Sequence, residues 1–155
     1  MTPAIDAARR AKIAHQVHEY THDPTSESYG AEAAEKLGLA EDRVFKTLVV
    51  SVGTGELVVG VVPVSSMLNL KALAKILGAK KAAMAKPADV ERVTGYVLGG
   101  VSPLGQKKRL KTIIDASART FPTIYVSAGR RGLQIELDPE DLTRLTGGRF
   151  AEIGN

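Results

Sequence analysis

Two β-rich runs separated by a glycine turn constrain this chain more than any other feature. Val44–Val52 (VFKTLVVSV) and Glu56–Val64 (ELVVGVVPV) flank Gly53-Thr54-Gly55, a pattern that predicts an antiparallel hairpin. The pair is expected at the centre of a sheet. One residue disturbs it: strand alternation puts Lys46 on the side of Val44, Leu48 and Val50, while Phe45, Thr47 and Val49 take the other. An ammonium aimed at a core is costly to bury. Either the strand begins near Lys46 and the side chain reaches out to water, or that face lines a pocket whose occupant is anionic.

Around the hairpin the periodicity changes repeatedly. Thr2-Pro3 reads as N-cap and first helical residue of a helix running to about Ile13. Gln16–Tyr20 alternates like a strand, a polar loop covers residues 21–30, and a short helix follows to about Leu37, closed by Gly38. Asn69 caps a helix with Leu70, Leu73, Ala74 and Leu77 on one stripe and Gly78 as its stop. A short strand near Ala82–Ala85 and a helix over Ala88–Thr94 come next. Strands are predicted at Lys111–Asp115, Thr123–Ser127 and Gly132–Leu137, and Asp138-Pro139-Glu140-Asp141 opens a last helix. The strands are too close together for a regular βαβ repeat. An α+β fold is expected, with a mixed, twisted or barrel-like sheet surrounded by helices, in one domain over residues 1–155.

Composition narrows the chemistry. Of 155 residues, 44% are apolar and 25% charged, as in ordinary globular domains. There is no cysteine, so disulfides, thiolate metal sites and a protein thiol nucleophile are excluded together. The N-terminal stretch MTPAIDAARR lacks a signal-peptide apolar region, and the run Leu57–Val64 is far short of the roughly 18 residues of a membrane span. A cytoplasmic protein without a membrane or DNA partner is expected.

Net charge is only +4, but the cations cluster. Lys107-Lys108-Arg109 and Lys111 crowd one turn, Arg130-Arg131 another, and Lys80-Lys81 a third. Such turns fit a polyanionic partner; they fit solvated loops of a basic protein equally well.

Candidate sites follow from local chemistry. In Gly99-Gly100-Val101-Ser102-Pro103-Leu104-Gly105, paired glycines let backbone N–H groups approach an oxyanion, with Ser102 a further candidate contact. The spacing is not that of a Walker A loop. His15, His18 and His22 are the only histidines, and a strand over 16–20 sends His15 to the opposite side from the other two, so neither a metal site nor a cofactor is expected. No serine lies in a G-x-S-x-G elbow. Tyr20 and Tyr29 flank the polar loop, where a ring could stack on a base or pack at a sheet edge.

Taken together, MTPAI, the His18–Pro24 stretch, KLGL, VFKTLVV, LGAKK, TGYVLGGVSPLGQKKRL at Thr94–Leu110, TIIDA and TIYVSAGRRGLQIEL at Thr123–Leu137 resemble the YbaK branch of the prolyl-tRNA-synthetase editing-domain superfamily, in order and over almost the whole chain. The resemblance implies a free-standing enzyme that removes cysteine from mischarged proline tRNA, the substrate's own thiol attacking its ester as a cyclic thiolactone forms. It implies that Lys46 holds the 3′-terminal nucleotide through its phosphate, that Tyr20, Tyr29, Thr47, Gly99 and Ser127 belong to the site, and that prolyl-tRNA synthetase is a partner. At Gln134 the chain departs from the aspartate of its relatives. A sister enzyme acting on alanyl-tRNA(Pro) is similar, but has asparagine after the lysine and a late histidine, whereas here Thr47 follows and no histidine occurs after His22. A non-catalytic tRNA-binding module is the remaining alternative.

Overall fold

The computed structural model describes residues 1–155. Five α-helices and eight strands alternate in the order α1 (Pro3–Arg10), β1 (His15–Glu19), α2 (Tyr29–Leu37), β2 (Phe45–Val52), β3 (Glu56–Pro63), α3 (Leu70–Ile76), β4 (Ala82–Met84), α4 (Pro87–Thr94), β5 (Lys111–Asp115), β6 (Ile124–Ser127), β7 (Leu133–Leu137), α5 (Pro139–Thr146) and β8 (Arg149–Ala151). The fold is α+β, as expected, but no barrel closes. The strands split into a three-stranded sheet, β1-β7-β6, and a five-stranded sheet, β4-β2-β3-β5-β8.

The β2–β3 hairpin lies inside the larger sheet, with β5 parallel to β3 and β4 antiparallel to the distal half of β2. Local signals set the boundaries: Thr2 Oγ1 accepts from Ile5 N–H at 3.2 Å, Asn69 Oδ1 from Ala72 N–H at 3.0 Å, and Gly38 takes φ +69° beyond α2. The first helix stops short of Ile13, because Lys12 adopts φ 57° and turns residues 11–14 into β1. Short 3₁₀ turns at Glu41–Arg43 and Ala116–Thr120, and strand β8, are additions to the elements expected from sequence.

The main core lies between the two sheets. Phe45, Val49, Val59 and Val61 from the larger sheet meet Ile124, Val126, Leu133, Ile135 and Leu137 from the smaller, with Ala4, Ile5 and Ala8 of α1 against them. Alternation sends the opposite set, Val50, Val52, Val58 and Val62, under Leu73 of α3. A third cluster packs Ala33 and Ala34 of α2 on Val44 and Tyr125. Burying a side chain of this size contributes about 1.5–3 kcal/mol, so β2 is anchored on both faces. Between the α2 and α3 clusters its face is left uncovered, and Lys46 lies in that gap. No helix is long and apolar enough to cross a membrane.

Candidate functional site

The proximal half of β2 is an unpaired sheet edge. Val64 N–H donates to Val44 O at 2.8 Å and Ala85 N–H to Val49 O at 3.1 Å. Even-numbered residues therefore bond to β3, and odd-numbered ones turn their backbone groups to the far edge. There β4 covers Val50–Val52, whereas β6 pairs with it only through a parallel bridge between Val44 and Tyr125. A cavity of about 460 Å³ opens along the gap, lined among others by Tyr29, Lys46, Thr47, Gly99, Ser127, Arg131 and Gln134.

Register explains this gathering. Val44 lies opposite Tyr125, so two residues further on Lys46 and Ser127 share a face. Ser127 pairs with Gln134, and Gln134 with His18. Lys46, Ser127, Gln134 and His18 thus form a row across four strands, the paired neighbours Ser127, Gln134 and His18 spaced by about 4.8 Å and Lys46 standing across the cavity from Ser127.

The row is unevenly satisfied. Lys46 makes no ion pair, and its loss of solvation pulls the ammonium below the ordinary lysine value, against an opposing pull from the Glu41 carboxylate. Ser127 Oγ accepts from Gly129 N–H at 3.3 Å, which leaves its hydroxyl proton free for a ligand. Thr47 Oγ1 and Gln134 Oε1 are buried without any hydrogen-bond partner. Each orphan costs about 1–3 kcal/mol. At the far end His18 Nε2 is 2.9 Å from Glu136 Oε1, and Thr123 Oγ1 donates to Glu136 Oε2 at 2.6 Å.

The mouth is built by two loops. Arg131 lies over the Tyr29 ring, 4.5 Å from its centroid, and donates from Nε and Nη2 to Leu98 O at 3.1 and 2.7 Å. Gly99 sits beneath this stack at φ +86°, where a Cβ would come within 2.7 Å of both Arg131 Nε and Tyr29 Cδ2. Its N–H makes no backbone hydrogen bond. The Tyr29 loop is pinned by Glu32, which lies 2.6 Å from His22 Nδ1 and 3.3 Å from Lys36 Nζ and accepts from Asp23 N–H at 2.7 Å. Burial raises the Glu32 pKa, but these bonds outweigh it and hold the carboxyl below its ordinary value.

Several residues picked from sequence have other duties. Gly100 N–H is used by Val97 O at 3.0 Å, and the residue is packed against the Arg130 backbone, so it is no second oxyanion donor. Ser102 is fully buried, and its Oγ accepts from Leu104 N–H at 3.2 Å, tying the loop to itself. Tyr20 packs against the α2 cluster and does not line the cavity, and Arg130 lines a different depression beside Met1 and Arg9. Lys107 and Lys108 donate their N–H groups to Thr94 O and Val93 O at the end of α4. Arg109 lies against Gly147 beyond α5, where a cation complements the helix terminus. The histidines separate: His15 bonds Ile13 O, His18 meets Glu136 and His22 meets Glu32. In the sequence Gln134 stands out only as a departure; its orphaned oxygen shows only in three dimensions.

Comparison with known proteins bears on this site. Residues 22–145 match the family described as the aminoacyl-tRNA editing domain. The chain is 42% identical over 153 residues to EbsC of Enterococcus faecalis, provisionally named a Cys-tRNA(Pro)/Cys-tRNA(Cys) deacylase, covering 98% of this chain and 92% of that one. It is 34% identical over 107 residues to the proline–tRNA ligase of Trichlorobacter lovleyi, covering 69% of this chain and 18% of the ligase. A crystal structure provisionally described as a trans-editing enzyme for prolyl-tRNA synthetase superposes with TM-score 0.80 at 25% identity, covering 96% of this chain and 97% of that one.

Proposed function

Because the chain belongs to the aminoacyl-tRNA editing-domain family, we propose that it is a free-standing cytoplasmic deacylase, one editing unit throughout, that removes cysteine wrongly attached to proline tRNA. The observation that carries this reading is the unpaired Lys46 ammonium in a cavity whose lining includes no histidine, in a chain without cysteine. Such a site binds an anion but offers no thiol, and Ser127 Oγ has Gly129 N–H rather than a side-chain base as its partner. An aminoacyl ester is already activated, and a cysteinyl ester brings its own nucleophile.

In this reading Lys46 holds the phosphate of the terminal nucleotide, and the Tyr29–Arg131 stack supports its base or ribose at the mouth. Ser127 O–H and Gly99 N–H donate to the carbonyl oxygen as it becomes an oxyanion, each good donor contributing on the order of 3 kcal/mol. The substrate sulfur, having lost its proton, bonds to the carbonyl carbon. The ester C–O bond then breaks, the ribose oxygen takes up a proton, and a cyclic thiolactone leaves. Holding thiol and carbonyl in contact supplies much of the acceleration, up to about 7–11 kcal/mol in favourable systems.

Arg131, Lys107 and Lys108 are candidate contacts to the acceptor stem. A domain of this size has little surface for reading an anticodon, and prolyl-tRNA synthetase is the partner that would supply tRNA selection. The test is release of amino acid by the isolated protein from a panel of mischarged proline tRNAs. Cysteine is expected to be released most rapidly. Preferential release of alanine would favour the sister activity, and tight binding without release would favour a tRNA-docking module.

A further inference from the structure

Gln134 is 7% exposed, its Oε1 has no partner, and neither end of its carboxamide is hydrogen-bonded, yet it lines the cavity. Buried polar groups are nearly always hydrogen-bonded, to protein or to water, so an unpartnered amide in a cavity wall marks a place where a ligand can bond. His18, its neighbour across the strand pair, does not help, because its Nε2 is engaged by Glu136. With no bond to fix its orientation, the carboxamide can turn either its oxygen to a donor or its nitrogen to an acceptor, and the neighbours along the row decide which.

Position along the row identifies the partner as a donor. In an aminoacyl nucleotide the groups run phosphate, ribose, ester carbonyl, then the α-carbon with its ammonium. Along the row, from the larger sheet into the smaller, the order is Lys46, Ser127, Gln134. With phosphate at Lys46 and carbonyl at Ser127, the group beyond the carbonyl reaches Gln134, while the ribose hydroxyl comes before the carbonyl, on the Lys46 side of Ser127. We infer that Gln134 Oε1 accepts a hydrogen bond from the α-ammonium of the aminoacyl group, which makes Gln134 a specificity residue that selects α-amino esters over otherwise identical acyl esters.

This inference rests on the aminoacyl-nucleotide reading of the site, so its test is binding rather than turnover. The probes are 3′-deoxy-3′-(cysteinylamido)adenosine 5′-phosphate, which cannot be hydrolysed as an ester, and its 3-mercaptopropionyl counterpart, which lacks the amino group and adds no bulk. Calorimetric titration of the wild type is expected to give at least about tenfold tighter binding of the amino probe, the scale of one hydrogen bond to a charged group. Gln134→Met should lose that preference while keeping its affinity for the desamino probe. Gln134→Glu, which keeps an acceptor, should retain it. Equal affinities in the wild type, or a preference surviving in Gln134→Met, would overturn the inference. Loss of preference in Gln134→Glu would overturn it too, by showing the amide to be a donor. Binding of neither probe would overturn it together with the aminoacyl-nucleotide reading. Preferential binding by a protein that leaves cysteinyl-tRNA intact would contradict the deacylase assignment alone.

Discussion

Replacing Lys46 with methionine keeps the length of the apolar stem and removes only the ammonium. Because Lys46 has no ion-pair partner in the free protein, no carboxylate is orphaned by the change. The interaction removed is with substrate phosphate, and hydrogen bonds to charged groups are worth about 1.5–3 kcal/mol. That predicts a fall in kcat/KM of about 10- to 150-fold, read from initial rates on cysteinyl-tRNA well below KM. Stability should move the other way. A lysine whose pKa is depressed by desolvation binds fewer protons folded than unfolded, so its charge opposes folding below the depressed value. Stability is regained as pH rises through that value towards the ordinary figure of about 10.4. Lys46→Met should therefore melt at or above the wild-type temperature at neutral pH. Lys46→Arg should not restore full activity, because a planar fork does not replace a compact ammonium. A methionine variant with undiminished kcat/KM, or one that melts several degrees lower, would refute the reasoning.

The remaining expectations concern the mouth and the surface. Gly99→Ala puts a methyl 2.7 Å from Arg131 Nε and Tyr29 Cδ2 at φ +86°; steady-state kinetics should show an impaired kcat/KM, and circular dichroism a loss of about 1–2 kcal/mol of stability. Unchanged kinetics would mean the stack does not shape the site. Glu32→Gln should lower the melting temperature at pH 7, and the deficit should shrink as pH falls below about 4.3, because a depressed carboxyl pKa contributes stability above the unfolded value and loses it as the folded form protonates. A deficit unchanged down to about pH 3 would contradict the Glu32 clasp. Lys107→Ala with Lys108→Ala should weaken tRNA binding and reduce the magnitude of the log–log salt slope by about 0.7–0.9 for each phosphate that is no longer neutralised; an unaltered slope would make both residues solvated helix-end cations.

The elements were legible because their signals are local. Thr2, Asn69 and Asp138 cap helices with their own side chains, and Gly53-Thr54-Gly55 turns the hairpin between two β-branched runs. Strand β8 was not, since Arg149–Ala151 is three residues long and draws its pairing from β5, more than thirty positions away. Alternation located Lys46 on a face, but not beneath a gap between two helices. The backbone pairing of β2 with β6 spans about eighty residues and is a single bridge, so no local pattern could announce the row from Lys46 to Gln134. The glycine-rich stretch is irregular, as its composition indicates, but its residues divide: Gly99 reaches the cavity, while Gly100 and Ser102 are spent on holding their own loop.

Whether the substrate supplies the nucleophile is decided by single-turnover cleavage of cysteinyl- and seryl-tRNA(Pro) at saturating protein. The two side chains differ by one atom, yet a thiol with a reference pKa near 8.5 presents thiolate at neutral pH and a serine hydroxyl does not. Cleavage of the cysteine ester should be much faster, and none should remain after its sulfur is capped by a methyl group. Equal rates for the two esters, or continued cleavage of the S-methylated one, would contradict thiol participation and assign the attack to a water held near Gly99 and Ser127.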